Sequence, residues 1–137
     1  MENIQLSKNF FLNQCTNSQI ALRYKIDNTP SQEVINNLKL VCENVLEPIY
    51  SLYGNIVITS GYRCLELNRK IGSKDNSQHI NGCAVDFIIP TMKIIDLYNS
   101  IRLNNAILFD QLINEFNSWV HVSFVKNKNR RSYFELK

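Results

Sequence analysis

The chain has 137 residues, of which 45% are hydrophobic and 20% are charged, with only four glycines and three prolines. This length predicts one domain over residues 1–137, and the composition excludes collagen-like, disordered and low-complexity proteins. Fifteen Lys and Arg against twelve Asp and Glu leave a net charge of +3, which is too small to predict a nucleic-acid partner.

The sequence shows no sign of membrane insertion or export. No stretch reaches the roughly 18 consecutive apolar residues of a membrane span. The N-terminus also lacks the basic region and apolar core of a secretory signal peptide. We therefore expect synthesis in the cytoplasm and no insertion into a membrane.

The four cysteines lie far apart, with no CxxC pair among them. This spacing argues against a four-thiolate zinc site and leaves three disulfide pairings formally open. Free thiols are the prediction, because a chain of this length without a leader does not need cross-links to fold. Cys83 is expected to lie in the core, since strand alternation puts it on the same face as Val85 and Phe87.

Helices are predicted for the first part of the chain. Residues 8–25 set polar side chains between short apolar groups, which predicts two short helices that meet near Thr16–Ser18, with a serine capping the second. The amphipathic spacing after Ser31 predicts a helix of about 20 residues. Pro48 is expected to kink this helix and Gly54 to end it.

From residue 55 onwards the pattern changes to short strands. Alternating or β-branched residues predict four strands, at 56–59, 83–89, 108–115 and 119–124. Helical spacing predicts two further helices, at 64–71 and 92–103. The last two strands form an antiparallel hairpin. The predicted fold class is therefore α+β, with N-terminal helices packed on a small, mainly antiparallel sheet.

Both histidines of the chain lie beside acids in loop and strand segments. His79 stands in a polar loop before Asp86, and strand alternation directs Asp86 and His121 away from the apolar faces of their strands. All three side chains can thus face one cleft. Two imidazoles and one carboxylate, with a fourth position open to water, form the ligand set of a catalytic zinc site. The alternative at this point is that each histidine only satisfies hydrogen bonds within a half-buried strand.

The segment S-x-H-x-x-G-x-A-x-D at 77–86, followed by W-V-H-V-S at 119–123, resembles the zinc D-Ala-D-Ala carboxypeptidases and phage peptidoglycan endopeptidases. Their fold is shared with the Hedgehog signalling domain. Three further segments resemble the short, phage-associated branch of this family, at 26–30, 59–63 and 109–113. The resemblance implies a Hedgehog-like fold and a Zn²⁺ ion held by His79, Asp86 and His121.

The resemblance also implies roles for residues around the metal. Arg63, in an S-G-Y-R segment, matches the arginine that holds a substrate carboxylate or carbonyl oxygen. Ser77 and Gln78 are expected to shape the loop before His79 and to orient Asp86 or bind substrate.

The catalytic base departs from the family's pattern. Many members place a glutamate three residues before the last metal ligand, where this chain has Ser118. Glu115, six residues before His121, is the best match for the general base, because the turn at 116–118 folds it back towards the metal. Asp110 is the competing acid, and its alternative role is that of a structural hydrogen-bond acceptor.

The sequence thus predicts a monomeric zinc metallopeptidase that hydrolyses a peptide bond in stem or cross-link peptides of peptidoglycan, as a carboxypeptidase or an endolysin-type endopeptidase. It would be made in a bacterium or a phage-infected host and act at the cell wall after release or as a virion component. Two alternatives are a non-catalytic, zinc-stabilised binding module of a phage tail or virion, and a cytosolic D-Ala-D-Ala dipeptidase. The basic run Lys126–Arg131 is expected to be a solvated edge, with attraction to an anionic wall polymer as its alternative.

Overall fold

The computed structural model describes residues 2–137, in which helices flank a five-stranded sheet. The helices are α1 (Leu12–Thr16), α2 (Gln19–Arg23), α3 (Gln32–Val41), α4 (Glu47–Tyr53), α5 (Leu65–Ile71) and α6 (Ile94–Arg102). The strands are β1 (Val57–Ser60), β2 (Ala84–Ile88), β3 (Gln111–Glu115), β4 (Trp119–Ser123) and β5 (Ser132–Leu136). The predicted α+β class is confirmed. Among these residues, no helix combines the length and the apolar character needed to cross a membrane.

Serine side chains cap α2 and α3, two of the helices predicted for the N-terminal part. The Ser18 hydroxyl accepts a hydrogen bond of 3.1 Å from the N–H of Ala21 and caps α2. The Ser31 hydroxyl accepts one of 3.3 Å from the N–H of Val34 and caps α3. Each cap satisfies a backbone donor that has no partner inside its helix.

The long helix predicted after Ser31 is continuous but changes its hydrogen-bonding pattern midway. A π-helical turn at Cys42–Leu46 joins α3 to α4, and the N–H of Glu47 donates to the carbonyl of Cys42, five residues back. Pro48 follows immediately, and its ring has no N–H and crowds the preceding turn. We attribute the wider turn to this proline, which therefore changes the helix by inserting a π-turn.

The sheet has the strand order β1-β2-β4-β3-β5. Its first four strands pair antiparallel, and β3 and β4 form the predicted hairpin. The fifth strand, β5, pairs parallel to β3 at the edge of the sheet. The sequence pattern predicts no strand after Phe124, because β5 is mostly exposed and is stabilised by pairing with a distant segment.

Strand alternation separates an apolar face of the sheet from a polar one. The core between the sheet and helices α3, α4 and α6 includes one set of alternate strand residues, namely Val85, Phe87, Val120 and Val122. Asp86 and His121 lie between these positions and point to the other face. The polar residues of β2 and β4 are thus held in place by the same strands that build the core.

Cys83 does not lie in the core, and the prediction that placed it there is wrong. Its side chain is partly exposed, just before β2 begins at Ala84. The N–H of Cys83 donates to the carbonyl of Gln78, so the preceding loop, and not strand alternation, sets its orientation. All four cysteines are free thiols, as predicted.

The basic run Lys126–Arg131 is only partly the solvated edge that was expected. The guanidinium of Arg130 donates to both carboxylate oxygens of Asp110, at 2.9 and 2.7 Å. The Arg131 guanidinium donates to the carbonyls of Arg102 and Asn104 at the end of α6. These two arginines fasten the segment that leads into β5, which leaves less free positive charge to attract an anionic polymer.

Replacing Asp110 by asparagine is expected to lower the free energy of unfolding by about 1–2 kcal/mol at pH 7. Hydrogen bonds from Arg130 hold the pKa of Asp110 at about 2, below its usual 3.8. The ionised carboxylate therefore stabilises the folded state above about pH 4, and this contribution is lost as the pH falls towards 2. Urea unfolding at pH 7, 4 and 2.5 measures the difference.

Asp75→Asn is the matched control, because Asp75 forms an ion pair of 2.8 Å with Arg69 that is exposed to solvent. Such pairs contribute little to stability. Equal losses in the two variants, or no pH dependence in the difference between wild type and Asp110→Asn, would contradict the assignment.

Candidate metal centre

Three buried side chains converge on the polar face of the sheet. Asp86 in β2 and His121 in β4 are direct cross-strand neighbours, and His79 reaches them from the loop before β2. One ligand atom from each of the three residues lies within 4.8 Å of the other two. In the described part of the chain, this is the one such cluster of His, Cys, Asp or Glu.

The loop that carries His79 is tightly constrained. The carbonyl of His79 accepts hydrogen bonds from the N–H groups of Arg63 and Gly82. Gly82 has a φ of 74°, and a Cβ atom there would lie 2.8 Å from Val34. Glycine therefore suits both the left-handed backbone and the close approach of the loop to α3. This packing fixes the position of the His79 ring relative to the polar face of the sheet.

Hydrogen bonding selects the tautomer of His79. Its Nδ1 lies 2.6 Å from the carbonyl oxygen of Gly61, and because a carbonyl only accepts, Nδ1 carries the hydrogen. The buried Nε2 is then left with a lone pair and makes no hydrogen bond within residues 2–137, although it lies 3.3 Å from Oδ1 of Asp86. A nitrogen lone pair and a carboxylate oxygen repel each other at this distance, and a cation that binds both atoms removes the repulsion.

Nδ1 of His121 approaches the same oxygen, at 3.0 Å from Oδ1 of Asp86. The two imidazole rings are 5.1 Å apart between centroids. Burial raises the pKa of Asp86, but the hydrogen bond with His121 opposes burial most strongly, and the pKa lies well below its usual range. Burial lowers the pKa of His79. The cluster therefore favours an ionised carboxylate and a neutral His79, which are the protonation states that bind metal.

Glu115 and Arg63 lie beside this cluster. Oε1 of Glu115 is 3.7 Å from Nδ1 of His121. Burial and the charge of Asp86 raise the pKa of Glu115. Burial lowers the pKa of Arg63, against the opposing charges of Asp86 and Glu115. The buried Nε of Arg63 has no hydrogen-bond partner among the described residues, so the guanidinium has donors available for a ligand.

Ser77 and Gln78 occupy different places, although they are neighbours in sequence. Ser77 lines the cleft, and its hydroxyl accepts a hydrogen bond of 3.3 Å from the N–H of His79. Gln78 points elsewhere: its amide nitrogen donates to Asp110 at 2.8 Å, and it does not line the cleft. Asp110 itself is held by Arg130. The structure therefore gives Gln78 and Asp110 contacts within the fold and brings only Ser77 to the site.

The cluster opens into a cleft of about 900 Å³. His79, Asp86, Glu115 and Arg63 line one part of it. Other lining residues were not predicted as site residues, and they include Asn17, Gln19, Ile20, Ile58, Ile71, Ser73 and Phe116. Most of them come from segments whose sequences carry no signal, because their proximity depends on packing alone. Phe116 is different, since a bulky residue inside a hairpin turn is itself unusual.

The family model described as Peptidase M15 matches residues 8–123. The chain belongs to the peptidase M15 family. The family predicted from the motifs at 77–86 and 119–123 is thereby confirmed. No curated protein shows significant similarity to the chain.

The match spans all the residues of this M15 peptidase that converge at the cleft. It includes the His-Asp-His cluster, Glu115 and Arg63, and it stops at Ser123. Strand β5 begins at Ser132 and therefore lies beyond the matched region.

Proposed function

We propose that this M15 peptidase is a zinc enzyme that hydrolyses a peptide bond in the stem or cross-link peptides of bacterial peptidoglycan. The observation that carries the proposal is the convergence of His79, Asp86 and His121 within 4.8 Å. His79 and Asp86 line a cleft that also holds a partly buried acid, Glu115, and a cation, Arg63, whose Nε has no hydrogen-bond partner among the described residues.

The ligand atoms suit zinc in a catalytic site. Nε2 of His79, Oδ1 of Asp86 and Nδ1 of His121 would hold the ion through two nitrogens and one oxygen, and three protein ligands are the number found in catalytic zinc sites. The unpartnered lone pair of His79 supports this fit. When bound, the ion supplies Lewis-acid chemistry, because it polarises the peptide carbonyl and lowers the pKa of water.

Glu115 supplies the proton transfers. Its carboxylate accepts the proton of the attacking water and then returns that proton to the leaving amine. Burial and the charge of Asp86 raise the pKa of Glu115, which brings the group closer to neutral pH, where an acid–base catalyst is most effective. The position of Glu115, 3.7 Å from His121, supports this role.

Arg63 binds the substrate through its unused guanidinium donors. These donors match a carboxylate or a carbonyl oxygen, and they stabilise negative charge as it develops during attack. Nε of Arg63 has no hydrogen-bond partner among the described residues, so removal of the side chain leaves no partner of this atom unsatisfied.

Arg63→Ala is expected to lower kcat/KM by roughly tenfold to a hundredfold, since hydrogen bonds to charged groups are worth about 1.5–3 kcal/mol. The variant should keep its metal and its thermal midpoint, because the side chain has no partner that its removal would strand. Arg63→Lys keeps the positive charge but loses the planar guanidinium, so its kcat/KM is expected to lie between those of the wild type and Arg63→Ala. A variant that unfolds, or that is fully active, would count against substrate binding by Arg63.

Purified peptidoglycan and synthetic peptides that end in D-Ala-D-Ala test the proposed activity, with product masses as the readout. Release of a terminal D-Ala identifies a carboxypeptidase, whereas opening of cross-links identifies an endopeptidase. Zinc-loaded protein, chelated protein and Glu115→Gln are compared on each substrate. Turnover of the free D-Ala-D-Ala dipeptide alone would favour the dipeptidase, and zinc and wall binding without turnover would favour the binding module.

A further inference from the structure

The cleft extends well beyond the metal cluster. Its volume of about 900 Å³ lies near the upper end of the range for small-molecule sites. The cluster and Glu115 occupy one part of it, whereas the remaining walls come from residues 17–20, 58–63 and 71–73. A dipeptide held at the cluster would leave much of this space to water.

Phe116 stands in the lining of this cleft in a strained conformation. Its φ is 59°, and that of Asn117 is 54°. Both values lie in the left-handed region, which favours glycine and is unfavourable for a bulky side chain. The Phe116 side chain is nevertheless not buried, because the residue is 54% exposed. Core packing therefore does not explain why a phenylalanine occupies this position.

The surrounding structure holds the turn in this conformation. The N–H of Phe116 donates to the carbonyl of Leu136 in β5, at 3.0 Å. The side chain of Asn114 accepts a hydrogen bond from the N–H of Asn117 and donates to the side chains of Asn117 and Glu135. Strained residues persist where their neighbours determine their conformation, and such residues cluster at functional sites. Two of these contacts come from β5, outside the family match.

Phe116 forms an aromatic pair with Trp119. Their ring centroids are 6.3 Å apart with planes at 68°, and both residues line the cleft. Trp119 is also the cross-strand partner of Glu115, so the pair adjoins the acid next to the metal cluster. Aromatic rings offer a large contact area at a small cost in side-chain entropy. The pair thus presents an apolar surface beside the reacting group.

We propose that Phe116 and Trp119 bind an apolar face of the substrate outside the scissile bond, so that the enzyme acts on peptides longer than a dipeptide. This inference rests on the proposed peptidase function and adds a specificity surface to the same cleft. The strained turn is then a device that presents an aromatic ring to the substrate.

Phe116→Gly tests the proposal, because glycine removes the ring and suits the left-handed backbone. The two substrates are a cross-linked disaccharide-peptide from peptidoglycan and a short acylated peptide ending in D-Ala-D-Ala. We expect the ratio of kcat/KM for the long substrate to that for the short one to fall about fivefold to tenfold. Phe116→Tyr should restore the ratio. Asn55→Gly is the matched control, since Asn55 has a φ of 44° and does not line the cleft.

An unchanged ratio of kcat/KM in Phe116→Gly, whether or not both values fall, would overturn the proposal. If the wild type hydrolyses neither substrate, the proposed function fails, and sedimentation with insoluble peptidoglycan then decides the role of Phe116. Weaker retention of Phe116→Gly than of Asn55→Gly would support the aromatic surface, whereas equal retention would reject it. Should Phe116→Gly fail to fold, Phe116→Asn serves in its place, because asparagine tolerates the left-handed conformation.

Discussion

His121→Ala should lose its metal and all measurable activity, whereas the wild type should hold about one zinc ion per chain. His121 supplies one of three protein ligands, and its Nδ1 lies 3.0 Å from Oδ1 of Asp86. Without it, two ligands remain, too few for the three-ligand site of a catalytic zinc ion. Elemental analysis of dialysed protein measures the stoichiometry, and peptide turnover is measured on the same samples.

Ser123→Ala provides a matched control for His121→Ala. Ser123 lies two residues further along β4, is buried and accepts a hydrogen bond from the N–H of Gln111. Its removal should cost some stability and leave the zinc content intact. Equal zinc in His121→Ala and the wild type would disprove the ligand assignment. Zinc affinity should also fall as the solution is made more acidic, because imidazoles bind metal only when neutral.

Glu115→Gln should lower kcat by about 10²–10⁴-fold while zinc content stays at the wild-type level. Glutamine keeps the shape of the side chain and its hydrogen-bonding reach but cannot accept the proton of the attacking water. The decrease should appear in kcat and kcat/KM together, because the lost interaction belongs to the transition state. Steady-state kinetics with elemental analysis of the same preparation test both parts.

Asp110→Asn is the control that decides between the two acids. Asp110 is tied to Arg130 and Gln78, so its amide variant should lose stability with little change in chemistry. An active Glu115→Gln beside a folded but inactive Asp110→Asn would show that the base is misassigned.

Strand periodicity was sufficient to predict much of the centre from the sequence. The alternation of side chains along a strand is a local property, so it shows from β2 and β4 alone that Asp86 and His121 leave the core face. The motif around His79 was sufficient to predict the family, because it fixes residue types at set spacings. Helix caps at Ser18 and Ser31 were predictable for the same local reason.

The tertiary structure decided which acid stands near the cluster. Glu115 and Asp110 lie at opposite ends of one strand region, and the sequence offered either as the base. In the fold, Glu115 approaches His121 to 3.7 Å, whereas Asp110 is engaged by Arg130 from twenty residues further along the chain. A contact between such distant positions depends on how the segment after β4 returns along the sheet, and no local pattern specifies that path.

Contacts between distant segments of the chain also determine where strand β5 and the walls of the cleft form. The sequence of β5 is short and weakly patterned, and it forms a strand because β3 offers it an open edge. Likewise, residues 17–20 and 71–73 meet only after α2 and α5 pack together. Local sequence thus determined which side chains face the polar side, whereas the burial of distant segments against one another determined what surrounds them.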